Sequence, residues 1–395
     1  MNIPEYVSFT LERLEDNGYS AYLVGGCVRD FIMGIEPHDF DITTSAPPDE
    51  IENCFSDIKT LDIGKKHGTI TLVFNEGNVE VTTYRIDGEY KDARHPESVT
   101  FTDRIDDDLA RRDFTMNAIA YSPKRGFVDP YGGRKDIETE IIRCVGVPKV
   151  RFEEDGLRIL RGLRFSSRLG FAIEKETHKA IFEAANLLKK IAGERINAEL
   201  CGILDGKYSG EVSRDFFDVL KHIIPEIKSV DFEALSQASS YDRLTKLSCF
   251  FSSIENTNIL NDVLKRLRFD SKTVKSLCGI VPLLKIYCGK YSDYDIKKAV
   301  SQIGVDDTAV LYRALYCHTK DDNCITSLMH LAEFVGENAC MCCKQLDVKG
   351  NEIIEKYNIN PTETGRILGM LLDDVMSDVI ENKKDILLCR AERYI

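Results

Sequence analysis

Hydrophobic and polar positions along this chain follow two periods, and the dominant one changes once. Residues 5–17 carry apolar side chains at helical spacing and predict an amphipathic helix. Tyr22-Leu23-Val24 is a short apolar run that reads as a buried strand, broken by Gly25 and Gly26. Val28, Phe31, Ile32 and Ile35 then recur at helical spacing, and Gly34 and Pro37 end that helix. A second strand follows, in which Phe40 and Ile42 alternate with Asp39 and Asp41. Pro47-Pro48-Asp49 starts another helix. Residues 69–74 and 79–84 are strands joined by Asn75-Glu76-Gly77-Asn78, a hairpin. Residues 87–96 have little apolar content and read as a mobile loop. From Arg151 onward almost everything is helical, with amphipathic stretches at 187–204, 216–227 and 244–267. A sheet followed by an all-helical remainder is the α+β division, and the boundary falls near residues 145–150.

The 395 residues suffice for two to four domains. The first residues, Met1-Asn-Ile-Pro-Glu-Tyr, show neither the basic flank nor the apolar core of a signal peptide, and no apolar run reaches membrane length. Thirteen cysteines, an odd number scattered from Cys27 to Cys389, predict free thiols in a reducing cytoplasm. Cys340, Cys342 and Cys343 lack the partner spacing of a zinc site and read as plain thiols. A net charge of −13 excludes a nonspecific nucleic-acid coat. Eleven arginines nevertheless lie from Arg104 to Arg168, where a local basic groove is expected.

The candidate chemistry starts at the second strand. Period two puts Asp39 and Asp41 on one face, where two carboxylates repel unless a cation sits between them. Mg²⁺ suits such a pair, because it takes hard oxygen ligands and is completed by substrate phosphates and water. Gly25 and Gly26 let the backbone approach a phosphate, and Arg29, one turn further on, is placed to clamp a phosphate oxygen. Glu80 lies between two valines that face the core, so it reads as an exposed strand glutamate or as a third acid beside the pair. Arg111 and Arg112 are adjacent and partly buried by Phe114 and Met116, which is costly unless an anion compensates. Asp129-Pro130-Tyr131-Gly132-Gly133 reads as a turn.

Asp155, Arg158, Arg161 and Arg164 recur at steps of three and predict one helical face with a positive excess that fits a triphosphate. Gly156 and Gly162 in that helix read as close-packing points. Cytosine and adenine both present an exocyclic amino donor beside a ring-nitrogen acceptor; guanine and uracil present a carbonyl and an N–H there. An ionised aspartate accepts and an arginine donates. Asp155 and Arg158 side by side therefore complement C and A and leave G and U unpaired.

Gly25-Gly26-Cys27-Val28-Arg29-Asp30, twelve residues after Gly26, then Asp39-Phe40-Asp41-Ile42-Thr43-Thr44, resembles the signature of the DNA polymerase β-like nucleotidyltransferases. The fuller string resembles the class II tRNA nucleotidyltransferases (CCA-adding enzymes) and their bacterial poly(A) polymerase relatives. Arg111-Arg112-Asp113-Phe114-Thr115-Met116-Asn117-Ala118, Asp129-Pro130-Tyr131-Gly132-Gly133 and Glu154-Asp155-Gly156-Leu157-Arg158 are similar to further motifs of that family. Residues 345–390 resemble its tRNA-touching C-terminal region.

The resemblance implies a nucleotidyltransferase head at residues 1–147, a helical neck with base recognition at 148–210, a helical body at 211–300 and a tRNA-binding tail at 301–395. It implies Asp39, Asp41 and Glu80 as catalytic acids, Asp39 and Asp41 as Mg²⁺ ligands, and Gly26, Arg29, Arg111, Arg112, Asp155, Arg158, Arg161 and Arg164 as nucleotide contacts. It implies CTP, ATP and the tRNA 3′ end as partners, CCA addition as the activity, and a lever role in the A step for the loop at 87–96. A poly(A) polymerase, the A-adding half of a split system and an inactive tRNA-binding protein are the alternatives. The oligomeric state is open, a homodimer included.

Overall fold

The computed structural model describes residues 3–37, 39–88 and 99–395. Most of the expected loop at 87–96 lies outside them, as does His38. The chain forms two compact units, Met1–Glu199 and Leu200–Ile395.

The first unit is built on a mixed sheet. Helix α1 (Glu5–Asp16) buries Val7, Leu11 and Leu14 and leads into β1 (Ala21–Val24), whose four residues are all buried, as its unalternated apolar run requires. Gly25 turns the chain into α2 (Gly26–Ile32), and β2 (Asp41–Thr44) returns antiparallel to β1. Helix α3 (Pro48–Cys54) precedes β3 (Lys59–Leu61) and the hairpin β4 (Thr69–Val73) and β5 (Asn78–Thr83), which closes where Phe74 N–H donates to Gly77 O at 3.0 Å. Short strands β6 (Arg85–Asp87) and β7 (Val99–Phe101) pair with each other. Helix α4 (Ile105–Ala110) and strands β8 (Ala120–Ser122) and β9 (Gly126–Val128) follow. Among the described residues the sheet has seven strands in the order β3-β4-β5-β2-β1-β8-β9. The β2–β5 pairing is parallel and the others are antiparallel. The sequence that carries the acids is therefore central in the sheet.

Asp39 does not share a strand with Asp41. The ladder begins at Asp41, opposite Val24 on one side and Glu80 on the other. Val24 is the last residue of β1, because Gly25 leaves at φ 77°, so Phe40 and Asp39 have no partner strand there. Asp39 lies in the bend just ahead of β2.

After α5 (Gly133–Glu138) the unit turns helical: α6 (Pro148–Glu154), α7 (Leu157–Leu169), α8 (Lys175–Ala184) and α9 (Gly193–Leu204). A short parallel pair, Ile141–Ile142 with Ala172–Ile173, interrupts the helices. The single helix expected from Glu154 onward is two. Asp155 is extended (φ −143°, ψ 105°) and its Oδ1 accepts from Leu157 N–H at 3.0 Å, a local side-chain bond that competes with helix continuation. Gly162 is a close-packing point as expected: a Cβ there would lie 3.1 Å from Cζ of Phe114.

The second unit is helical, with one core around Leu284, Tyr287, Leu311 and Tyr312 and another around Ile353, Ile367, Leu371 and Leu387. Three predicted helices prove shorter or divided. The 244–267 stretch is Arg243–Phe251 and Thr257–Arg266, because the Asn256 side chain caps the second by accepting from Asn258 and Ile259 N–H at 3.0 and 3.1 Å. The 216–227 stretch holds only Phe217–Leu220, a single turn short of Pro225. At 187–204, Ile191 is extended between a 3-10 turn (Ala185–Lys190) and α9. All thirteen cysteines are free. Thiol titration of denatured protein without reductant is expected to approach thirteen per chain; a count near one would show disulfides instead.

Candidate active site

The turn after β1 brings three chemistries together. A Cβ on Gly25 would lie 3.2 Å from Nη1 of Arg112 and 4.0 Å from Oδ2 of Asp41. Bare backbone, a guanidinium and a carboxylate thus converge at one turn. Asp41 is open to solvent, yet its carboxyl titrates above the ordinary range. Crowding by the surrounding protein is the first cause, the Glu80 carboxylate across the ladder the next, and Asp39 adds a smaller push. Arg112 pulls the other way without cancelling them. Neighbouring Cys27 is buried beneath the turn, and burial pushes its thiol up to about 11, which leaves it unreactive.

Carboxylate repulsion that one arginine does not offset is the signature of a site suited to a divalent cation. Among the described residues no three or more His, Cys, Asp or Glu side chains close into a metal cage. A pair of carboxylates leaving positions for phosphate and water suits Mg²⁺ better than a closed site does.

Gly25→Ala is expected to cost about 1–2 kcal/mol of stability from the left-handed backbone alone. It should also displace Arg112, so nucleotide affinity should fall more than stability does. A melting curve paired with CTP titration checks this; unchanged affinity would show that the close approach is not used.

The arginines expected to meet phosphate are largely supported from within. Asp108 on α4 is fully buried. Its Oδ1 accepts from Nε and Nη2 of Arg111 at 3.0 and 2.8 Å, and its Oδ2 accepts from Nη2 of Arg112 at 3.2 Å. Burial alone would push this carboxyl up; the two guanidiniums outweigh it and hold it below the usual range. The anion that the arginine pair requires is therefore internal. Arg112 keeps a buried Nε with no hydrogen-bond partner, a donor left over on the guanidinium whose charge acts on Asp41.

Arg29 is more committed than its spacing suggested. Its Nη1 donates to Asn117 Oδ1 at 2.9 Å, and Nε and Nη2 donate to Asp30 Oδ1 at 2.9 and 2.7 Å. On α7, Arg161 Nε donates to Asp113 Oδ2 at 2.7 Å, and Arg164 lies 3.3 Å from Glu199 Oε2 without hydrogen-bond alignment. The Asp113 carboxyl is buried, which raises it, but Arg161 and Asn117 bring it below the ordinary range.

Asp155 and Arg158 are each held by a different partner. Asp155 Oδ2 accepts from Arg195 Nη2 at 2.7 Å. Arg158 is buried, pairs with Glu154 through Nη1, and donates to Arg151 O and Arg111 O at 3.1 Å each. Of the four residues expected on one helical face, Arg158, Arg161 and Arg164 are on α7, and Asp155 stands in the joint ahead of it. Sequence reading assigned no role to Asp108, Asn117, Arg195 or Glu199. The i,i+3 and i,i+4 spacing of Asp108 to Arg111 and Arg112 was a usable signal; the other three are distant in sequence from what they hold.

Residues 21–143 match the poly(A) polymerase head domain, and residues 170–230 match a region described as a probable RNA- and SrmB-binding site of polymerase A. A CCA-adding enzyme of Staphylococcus aureus (strain MRSA252) is 42% identical over 276 residues, covering 69% of this chain and 67% of that protein. Another, from the bovine strain RF122 / ET3-1, is 36% identical over 356 residues, covering 89% of this chain and 81% of that protein. The solved structure of the Bacillus stearothermophilus CCA-adding enzyme in complex with CTP superposes with a TM-score of 0.75 at 28% identity, covering 98% of this chain and 96% of that one. With these relatives spanning both of its units, the chain belongs to the CCA-adding enzymes, nucleotidyltransferases with a poly(A) polymerase-type head.

Proposed function

We propose that this protein adds CCA to the 3′ end of tRNA from CTP and ATP, without a nucleic-acid template. The tRNA 3′-hydroxyl forms a bond to the α-phosphorus, the bond from that phosphorus to the bridging oxygen breaks, and pyrophosphate leaves. The observation that carries the reading is the convergence of Gly25, Arg112 and Asp41, with Glu80 in register across the ladder.

In this reading Asp39 and Asp41 hold Mg²⁺. Bound there, the ion supplies a more acidic attacking hydroxyl and charge neutralisation at the leaving oxygens. Glu80 adds the third negative charge at the floor. Backbone at Gly25 and Gly26 lies against the phosphates, and Arg112 donates to them while Asp108 fixes it and Arg111. Arg29, Arg161 and Arg164 supply a positive wall. Asp155 and Arg158 select C and A. The head, neck, body and tail divisions at 147, 210 and 300 go with this reading, the tail meeting tRNA. Among the described residues no helix is long and apolar enough to cross a membrane, and the scattered thiols suit the cytoplasm.

The test is incubation with a tRNA ending before its CCA, with each nucleoside triphosphate singly and then with CTP and ATP together. Addition of two residues from CTP alone, and a third only when ATP follows, is expected. Repeated A addition to any 3′ end would indicate a poly(A) polymerase, and A addition only to tRNA already ending in CC would indicate half of a split system.

A further inference from the structure

Three guanidiniums crowd one aromatic ring. The Arg29 guanidinium carbon lies 5.3 Å from the centroid of Phe165, that of Arg161 5.6 Å and that of Arg164 5.3 Å. The three come from two elements: Arg29 from α2, directly after the glycine turn, and Arg161 and Arg164 from α7. Phe165 is nearly fully buried, and Phe114 meets it edge-on at 5.9 Å. Each arginine also has its own carboxylate, in Asp30, Asp113 and Glu199. Those ion pairs hold each guanidinium through a different side chain. The ring of Phe165 is shared by all three.

A path of short steps runs from this ring to the candidate floor. Nη2 of Arg29 lies 3.8 Å from where a Cβ on Gly26 would be, and the Cβ position of Gly25 is 4.0 Å from Oδ2 of Asp41. The face of an aromatic ring is negative, and a desolvated cation held over it is attracted without being neutralised. A guanidinium oriented this way keeps its positive charge available to an incoming anion, whereas a second carboxylate would cancel it.

We infer that Phe165 is a positioning residue: its ring gathers Arg29, Arg161 and Arg164 into one array and so sets the affinity for the triphosphate. This rests on the reading that the array meets triphosphate. The role belongs to the electrostatics of the ring and not to its bulk, and the two are separable by experiment.

Phenylalanine carrying one, two, three or five ring fluorines, placed at position 165 in the full-length protein, changes size little but weakens and finally reverses the charge on the face. Equilibrium binding of CTP is measured first, without tRNA, so that the result does not depend on turnover. The dissociation constant for CTP is expected to rise steadily with fluorination, by roughly tenfold or more at five fluorines, while the melting temperature stays nearly constant. Phe165→Tyr should bind CTP like the parent. Phe114→Leu, which trims the ring packed edge-on against Phe165, should lower the melting temperature and leave CTP affinity within about twofold. Affinity independent of fluorination overturns the inference, as does an equal loss of affinity in Phe114→Leu. If the parent binds CTP and shows the fluorine trend yet transfers nothing to tRNA, the functional reading fails while the role of Phe165 stands. A parent that binds no triphosphate overturns both.

Discussion

Asp41→Asn is expected to abolish addition of both C and A, to leave tRNA binding intact and, without divalent cations, to leave the melting temperature unchanged or raised. The two halves of that result have one cause. The Asp41 carboxyl titrates above its ordinary value because of crowding, Glu80 and Asp39. In the folded protein it therefore holds its proton to higher pH than in the unfolded chain. The sign follows: the ionised group opposes folding, and stability is lost as pH rises from the ordinary carboxylate range, about 3.9, through the raised folded value. Asparagine keeps the shape and removes the charge, so this cost disappears. The chemistry disappears with it, since a metal-assisted transfer deprived of a ligand loses several kcal/mol of transition-state stabilisation, ~10³-fold or more in rate. Mg²⁺ should raise the melting temperature of the parent and not of Asp41→Asn, because a ligand stabilises only the state that binds it. Retained transfer in Mg²⁺ by Asp41→Asn would remove Asp41 from the site.

That residue was legible in the sequence for a local reason. A glycine pair between an unalternated apolar run and helical spacing can hardly be anything but strand, turn and helix, and the acid pair follows within reach. The hairpin was equally plain, since Val79 and Val81 had to face inward and left Glu80 outward; they do, and Glu80 pairs in register with Asp41. What the sequence hid was decided elsewhere in the chain. Whether Asp39 joins the strand depends on where β1 ends, not on Asp39. The break at Asp155 depends on a side chain bonding its own backbone in preference to continuing a helix. Asn256 divides a helix for a related reason, and there the capping residue stood in plain view inside an apolar pattern that outweighed it.

The arginines show the same division. Their excess over nearby acids predicts a basic cluster, yet the charge count could not say how they are held. Asp108, three and four residues before Arg111 and Arg112, binds both. Asp113 reaches Arg161 and Asn117 reaches Arg29 across long sequence separations. These contacts turn a line of positive charges into fixed donors, which is what selective recognition of a nucleotide requires.

Base choice is where that rigidity should show most. Asp155→Asn is expected to weaken rejection of UTP and GTP, and Arg158→Ala to lower use of CTP and ATP together. Both oxygens of Asp155 accept, Oδ2 from Arg195 and Oδ1 from Leu157 N–H. An amide has one acceptor and one donor end, so either rotamer sets its NH₂ against a donor. If it faces Arg195, that guanidinium is released; if it faces Leu157, the joint between α6 and α7 loosens. In both cases the acceptor offered to an exocyclic amino group is lost or displaced, and a donor becomes available to the carbonyl of uracil or guanine. A hydrogen bond to a charged group is worth ~1.5–3 kcal/mol, roughly ten- to a hundredfold in discrimination. Arg158 is fixed by Glu154 and by two backbone carbonyls, one of them on Arg111. Its removal takes away the donor that the ring nitrogens of C and A share, so their kcat/KM values should fall in parallel, by roughly a hundredfold. Triphosphate affinity should fall less, since Arg112, Arg161 and Arg164 remain. Single-nucleotide incorporation with all four triphosphates separates these effects. Should Asp155→Asn exclude UTP and GTP as strictly as the parent, the pair does not read the base, and Asp155 is then a structural joint held by Arg195.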